Sequence, residues 1–165
     1  MLKNLDQLKT YTSSLAILEP SIADELCLVP GGVDESDLRS TGLELSQDYK
    51  SVATSLSLYG VSIGPISLWP TFDRNFGLIE SLIRANEGRD KGSEIARNQG
   101  FVVVGRLEAS PICLDERGGV HMVDIMSGDA PMQRSIASTF EILLLLAGNA
   151  HEIGLRREGD QASAE

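Results

Sequence analysis

Residues 101–125, FVVVGRLEASPICLDERGGVHMVDI, constrain the fold more than any other stretch of the chain. The run Phe101-Val102-Val103-Val104-Gly105 is continuously apolar, the pattern of a strand at the centre of a sheet. Two shorter strands follow, about Ile112 to Asp115 and Val120 to Ile125, with Glu116-Arg117-Gly118-Gly119 between them as a hairpin turn. The same residues bring a cysteine, two aspartates and a histidine close together in sequence, which raises the question of an active site. Side chains alternate across a strand, so a two- or four-residue turn centred on Arg117-Gly118 pairs Asp115 with Val120, Leu114 with His121 and Cys113 with Met122. That register puts His121 on the opposite face from Cys113 and Asp115. A Cys113-His121 dyad needs an odd-length turn or a bulge.

The flanking segments supply helices. Leu2, Leu5, Leu8, Leu15 and Leu18 share a face at helical spacing and Pro20 supplies a stop, which predicts an amphipathic helix over 2–18. The segment PGGVDESDLRSTG from Pro30 reads as an acidic, irregular connector. Ser46 is the N-cap of a short helix reaching about Leu58, and VSIGPISLWP reads as an edge strand or strand pair broken at Gly64-Pro65. Phe76, Ile79, Leu82 and Ile83 predict a helix from about Thr71 to Asn86-Glu87-Gly88, and the charged stretch 88–100 reads as a solvated loop or frayed helix. A last helix has capping-box spacing at Ser138 and Glu141, an apolar face of Ile136, Phe140, Leu143, Leu144 and Ala147, and an expected end at Gly148. The organisation expected is one domain over 1–153 with a polar, disordered tail over 154–165.

Composition narrows the function. The chain has 165 residues, 42% of them hydrophobic, and its longest apolar run, Ile142 to Ala147, is far too short to cross a bilayer, so no membrane partner is expected. The N-terminus lacks the continuous apolar core of a secretory signal, which points to the cytoplasm. Cys27 and Cys113 lie in apolar surroundings with neither CxxC nor histidines at zinc spacing, and they read as buried free thiols with no metal or other cofactor. His151 opens HEIG, which lacks the second histidine of a metalloprotease helix, and it reads as a solvated residue after the last helix. Gly31-Gly32 precedes an acidic run that repels phosphate. A net charge of −10, from 24 acidic and 14 basic residues, opposes nucleic-acid binding and favours a basic partner.

Four stretches in order carry a resemblance. LELSQDYKSVATSL resembles the glplPxdYkxfl segment of the SUKH superfamily, and GVSIGPISLWP the strand region that follows it. GFVVVGRLEASPICLDERGGVHMVDI is similar to the family's central meander and RSIASTFEILLLLAG to its closing helix, the whole covering roughly residues 43–148. Ser46 stands where proline is frequent, and Leu58-Tyr59-Gly60 replaces a frequent Asn-Gly pair, so the chain resembles a divergent member. The resemblance implies an α+β fold, a curved and largely antiparallel sheet with helices packed beside it. It also implies a non-catalytic role. Many bacterial members are immunity proteins that bind and block a cognate toxin domain, often a nuclease or deaminase, and fungal relatives are signalling scaffolds.

On that basis the expected function is an immunity protein against a basic, nucleic-acid-targeting toxin. The contact candidates are Glu108, Asp115, Glu116, Asp124 and Asp129, the carboxylates of the meander and its turns. Tyr49 and Trp69 are either interface anchors or core residues, with core packing the stronger reading. The competing readings are a signalling or scaffold module and a small thiol hydrolase built on Cys113, His121 and a nearby aspartate.

Overall fold

The computed structural model describes residues 1–22, 28, 30–58, 60–68, 78–125 and 132–162. Its centre is a six-stranded antiparallel meander in which every strand pairs with its neighbours in sequence: β1 (Ser62–Ile63), β2 (Ile66–Leu68), β3 (Val102–Leu107), β4 (Ser110–Leu114), β5 (Val120–Asp124) and β6 (Met132–Ala137). The sheet is open, with β1 and β6 at its two edges. Bulges at Val104 in β3 and Ile136 in β6, where one strand advances two residues against one, curve it. The architecture is therefore the expected α+β fold with a curved antiparallel sheet.

Helices pack on both faces. Leu8 of α1 (Leu5–Leu18), Leu38 of α2 (Glu35–Ser40), Tyr49, Val52 and Ala53 of α3 (Gln47–Ser55), and Phe140, Leu143, Leu144 and Ala147 of α6 (Phe140–Ala162) join Val102, Val104, Ile112, Leu114 and Val120 in the main core. The opposite face is thinner. There Ala85 of α4 (Leu78–Glu87) and Ala96 of α5 (Lys91–Asn98) cover Val103, Cys113 and Val123, with Ile95, Phe101 and Ile125 at the margin. Among the described residues no helix is long and apolar enough to cross a membrane.

The caps explain several boundaries. Asn4 accepts the Gln7 amide at the start of α1, and Ser46 accepts the Tyr49 amide at the start of α3, as its sequence position predicts. At the β1–β2 turn Gly64 has φ +59 and is followed by Pro65, the order of φ signs in a type II′ hairpin. Leu82 is buried and Ile83 half-buried on α4, whereas Phe76 and the expected start of that helix lie outside the described residues.

Four expectations are corrected. The acidic connector contains the helix α2, anchored by buried Leu38. The stretch 88–100 holds α5: Asp90 caps it through the Ser93 amide and hydroxyl and pairs with Arg106 of β3 at 3.4 Å, and buried Ala96 seats it on the sheet. Ile136 belongs to β6, so the last helix starts later and its cap is not Ser138. Thr139 accepts the Ile142 amide, and Asp48 of α3 reaches across to accept the Phe140 amide at 2.7 Å and the Glu141 amide at 3.4 Å. Finally, α6 does not stop at Gly148 but runs to Ala162, through most of the segment expected as a tail. A Cβ at Gly148 would lie 2.4 Å from Leu8 Cδ1, so this glycine serves close packing of α1 on α6 rather than termination.

Candidate functional site

The β4–β5 loop sets the geometry of the candidate site. Leu114 pairs with Val120 and Cys113 with His121, one residue out of the expected register. The reason lies in the loop. Asp115 and Gly119 remain joined through the Asp115 amide and Gly119 carbonyl at 3.0 Å, and Gly118 takes φ +87, which is a three-residue loop closed by a glycine bulge. Asp115 locks it: Oδ1 accepts the Arg117 amide at 2.8 Å and the Gly119 amide at 2.9 Å. The odd-length loop thus wins over the two- or four-residue turn, and the opposite-face placement of His121 is overturned.

His121 consequently shares the thinner face with Cys113. Its Nε2 lies 2.7 Å from Asp115 Oδ2, and its ring stacks on Phe101 with centroids 5.0 Å apart and planes 6° from parallel. Cys113, Asp115 and His121 are therefore neighbours. Cys113 is fully buried, and that burial pushes its thiol up to about 12, so at neutral pH it is protonated and shielded rather than a nucleophile. Burial also works to raise the Asp115 carboxyl. The hydrogen bonds from His121 and from the Gly119 and Arg117 amides outweigh it and hold the group below its ordinary value.

Beside this loop lies a cleft of about 410 Å³ lined by Glu44, Gln99, Gly100, Phe101, Asp115, Glu116 and Arg117. Glu44 and Glu116 are exposed on it, and Asp115 is spent on its own loop. Of the expected contact residues whose side chains are described, the cleft unites Asp115 and Glu116. Glu108 is exposed in the β3–β4 turn, at the other end of the five-residue strand β4, about 17 Å away at the rise of a strand. Asp124 ends β5 at that same far end, and Asp129 lies outside the described residues. Glu108 is thus apart from Asp115 and Glu116. Glu44 and Gln99 had no signal in the sequence, since both sit in connectors whose meeting depends on the sheet.

Other candidates resolve into structure. Tyr49 is fully buried and packs edge-on against Phe140 with centroids 4.9 Å apart, and Trp69 and Cys27 lie outside the described residues. His151 sits inside α6, not after it, with Nδ1 2.9 Å from the Tyr11 hydroxyl. Among the described residues no group of three or more His, Cys, Asp or Glu side chains is placed to hold a metal ion.

Asp115→Asn should lower stability at neutral pH by about 2 kcal/mol, because a carboxylate accepting three hydrogen bonds is replaced by a neutral amide. The sign with pH follows from the depressed folded-state value. The stabilisation is complete above the unfolded value of about 3.9 and is lost as pH falls through the folded one. Urea titrations of both proteins at neutral pH and at pH values below about 4 check this, with the gap closing in acid. A gap that widened in acid would contradict the assigned bonds. No protein-family model matches this chain, nor does any curated protein or solved structure.

Proposed function

We propose that this chain is a non-catalytic immunity protein of the SUKH type, which binds a basic, nucleic-acid-targeting toxin domain in the cytoplasm and blocks it. The observation that carries the reading is the net-acidic rim of the β4–β5 cleft, where Glu44 and Glu116 are exposed against the single exposed cation Arg117 among its lining residues, on a chain of net charge −10. An enzyme acting on nucleic acid must attract phosphates with a basic surface. An acidic rim on a rigid hairpin complements that surface, speeds encounter and excludes the substrate. Within this reading Glu116 and Glu44 are contacts, Asp115 holds the loop in shape, and Glu108 lies apart at the far end of the sheet.

The test is kinetic. Glu44→Lys with Glu116→Lys should slow association with the toxin domain encoded beside this chain's gene by about ten- to hundredfold at low salt, measured by stopped flow. A control carrying Glu35→Lys and Asp37→Lys changes net charge equally and places it on α2. Equal slowing in both would remove the interface from the cleft, and absence of binding by the unaltered protein would remove the immunity reading.

One observation favours a thiol hydrolase, namely that Cys113, His121 and Asp115 are neighbours. Burial of the thiol opposes it. Cys113→Ser separates the two: an immunity protein keeps its protective effect in cells, and a thiol enzyme loses its activity entirely.

A further inference from the structure

The lining of the β4–β5 cleft is one-sided in its hydrogen bonding. On one wall the amides of Gln99, Gly100 and Phe101 turn back into the end of α5, at 3.2 Å to the Ile95 carbonyl, 2.9 Å to that of Arg97 and 2.9 Å to that of Ala96. On the other wall the Asp115 amide donates to the Gly119 carbonyl at 3.0 Å and the Arg117 amide to Asp115 Oδ1 at 2.8 Å. Five of the seven lining residues have thus spent their backbone donors inside their own turns, so the lining faces a ligand mainly with acceptors. These are the carboxylates of Glu44 and Glu116 and the carbonyl end of α5, whose C-cap is Gln99 and where the helix dipole is negative. The α5 wall is open backbone at Gly100, which has φ +73: among the described residues nothing beyond its chain neighbours lies within 4 Å of where a Cβ would sit.

The flat apolar group of the lining is Phe101. His121 holds its ring from one side, with planes 6° from parallel, so the other face and the edge are what the cleft meets. The face of an aromatic ring is its negative side and attracts cations. Three carboxylates, Glu44, Asp115 and Glu116, stand in the lining against one cation, Arg117.

We propose that the cleft receives one arginine side chain of the toxin domain, with its guanidinium over Phe101 and bonded to Glu44, Glu116 and the carbonyl end of α5. The inference rests on the immunity reading for the source of the arginine and on the cleft alone for its chemistry. A guanidinium carries five N–H donors and no acceptor, stays charged, and is flat enough to stack on a ring. An ammonium offers three donors and no plane, and an anion would meet carboxylates and amides already in use. The volume of 410 Å³ is that of a cube about 7 Å on a side, narrower than the 10–12 Å of a helix with its side chains, so the cleft admits a side chain rather than an element. Arginine is also the residue with which a nucleic-acid enzyme grips phosphate, so capturing one takes from the toxin a group that its substrate needs.

Titration of the ¹⁵N-labelled full chain with N-acetyl-arginine amide and with N-acetyl-lysine amide at low salt tests the chemistry. The arginine compound should shift the amides of Gly100, Phe101 and Glu116 and bind at least about threefold more tightly than the lysine compound. Glu44→Gln with Glu116→Gln should weaken it about tenfold, and Phe101→Leu about threefold to thirtyfold with an unchanged circular dichroism spectrum. Arg117→Ala should tighten it, because the competing cation is gone. Equal binding of the two compounds, or shifts confined to other parts of the chain, overturns the proposal. The toxin domain then separates the inference from the reading beneath it. Alanine substitution of its surface arginines in turn should find one whose loss weakens binding at least tenfold to the unaltered chain and has little further effect on the Glu44→Gln, Glu116→Gln chain. Tight binding in which no arginine couples to these glutamates overturns the inference and leaves the immunity reading standing. A folded toxin domain that does not bind at all overturns the immunity reading, and with it the toxin as the source of the arginine, while the titration decides the guanidinium chemistry independently.

Discussion

Phe140→Ala is expected to destabilise the fold by about 3 to 5 kcal/mol, the largest effect of any single truncation considered. Phe140 is fully buried at the first turn of α6, in edge-on contact with Tyr49 of α3. Its removal leaves a cavity between two helices whose relative position is also held by Asp48, so the site has little freedom to collapse. A small domain has about 5 to 15 kcal/mol in total, and the variant should unfold at far lower urea with an unchanged m-value. A loss below about 1 kcal/mol would mean that α6 is not held against α3 as described.

Asn86→Ala should be nearly as damaging, at about 2 to 4 kcal/mol. Asn86 is buried near the end of α4 and faces the backbone of Val103. Its Oδ1 accepts the Val103 amide at 2.8 Å and its Nδ2 donates to the Val103 carbonyl at 2.9 Å, so one side chain pairs both backbone groups of Val103. Alanine leaves a buried donor and a buried acceptor unpaired, each costing about 1 to 3 kcal/mol. Amide exchange at Val103 gives an independent readout and should accelerate with the loss of stability. If exchange there were unchanged in a destabilised variant, the loss would arise elsewhere in α4.

Stability and the candidate site are coupled through these contacts. The Val103 strand carries Phe101 at its start, and Phe101 both stacks on His121 and lines the cleft. The loop that shapes the cleft is fixed by Asp115, whose Oδ1 is bonded within its own turn and whose Oδ2 meets His121 of β5. Under the proposed immunity role, charge for a partner falls to Glu44 and Glu116, residues that carry no internal hydrogen-bonding duty among the described contacts and can be exchanged in the kinetic test.

What could be read along the chain was whatever depends on neighbours in sequence. The leucine spacing of α1, the Ser46 cap of α3, the Gly64-Pro65 turn and the valine run of β3 each follow from backbone sterics and from periods of 3.6 or 2. The antiparallel α+β architecture follows from them. β6 was not legible because Gln133, Arg134 and Ser135 carry no apolar alternation, and the strand exists by its ladder with β5. α5 has only Ile95 and Ala96 to bury, so packing on the sheet and the Asp90 cap decided it. The hairpin register turned on one carboxylate and one positive φ, a difference of a few kcal/mol in hydrogen bonding that an alternation pattern does not express. That single shift moved His121 to the face of Cys113. The cap of α6 comes from Asp48 and the cleft from Glu44 and Gln99, residues that meet their partners only after the chain has closed, because contacts across such separations are specified by the packed sheet and helices and by nothing local.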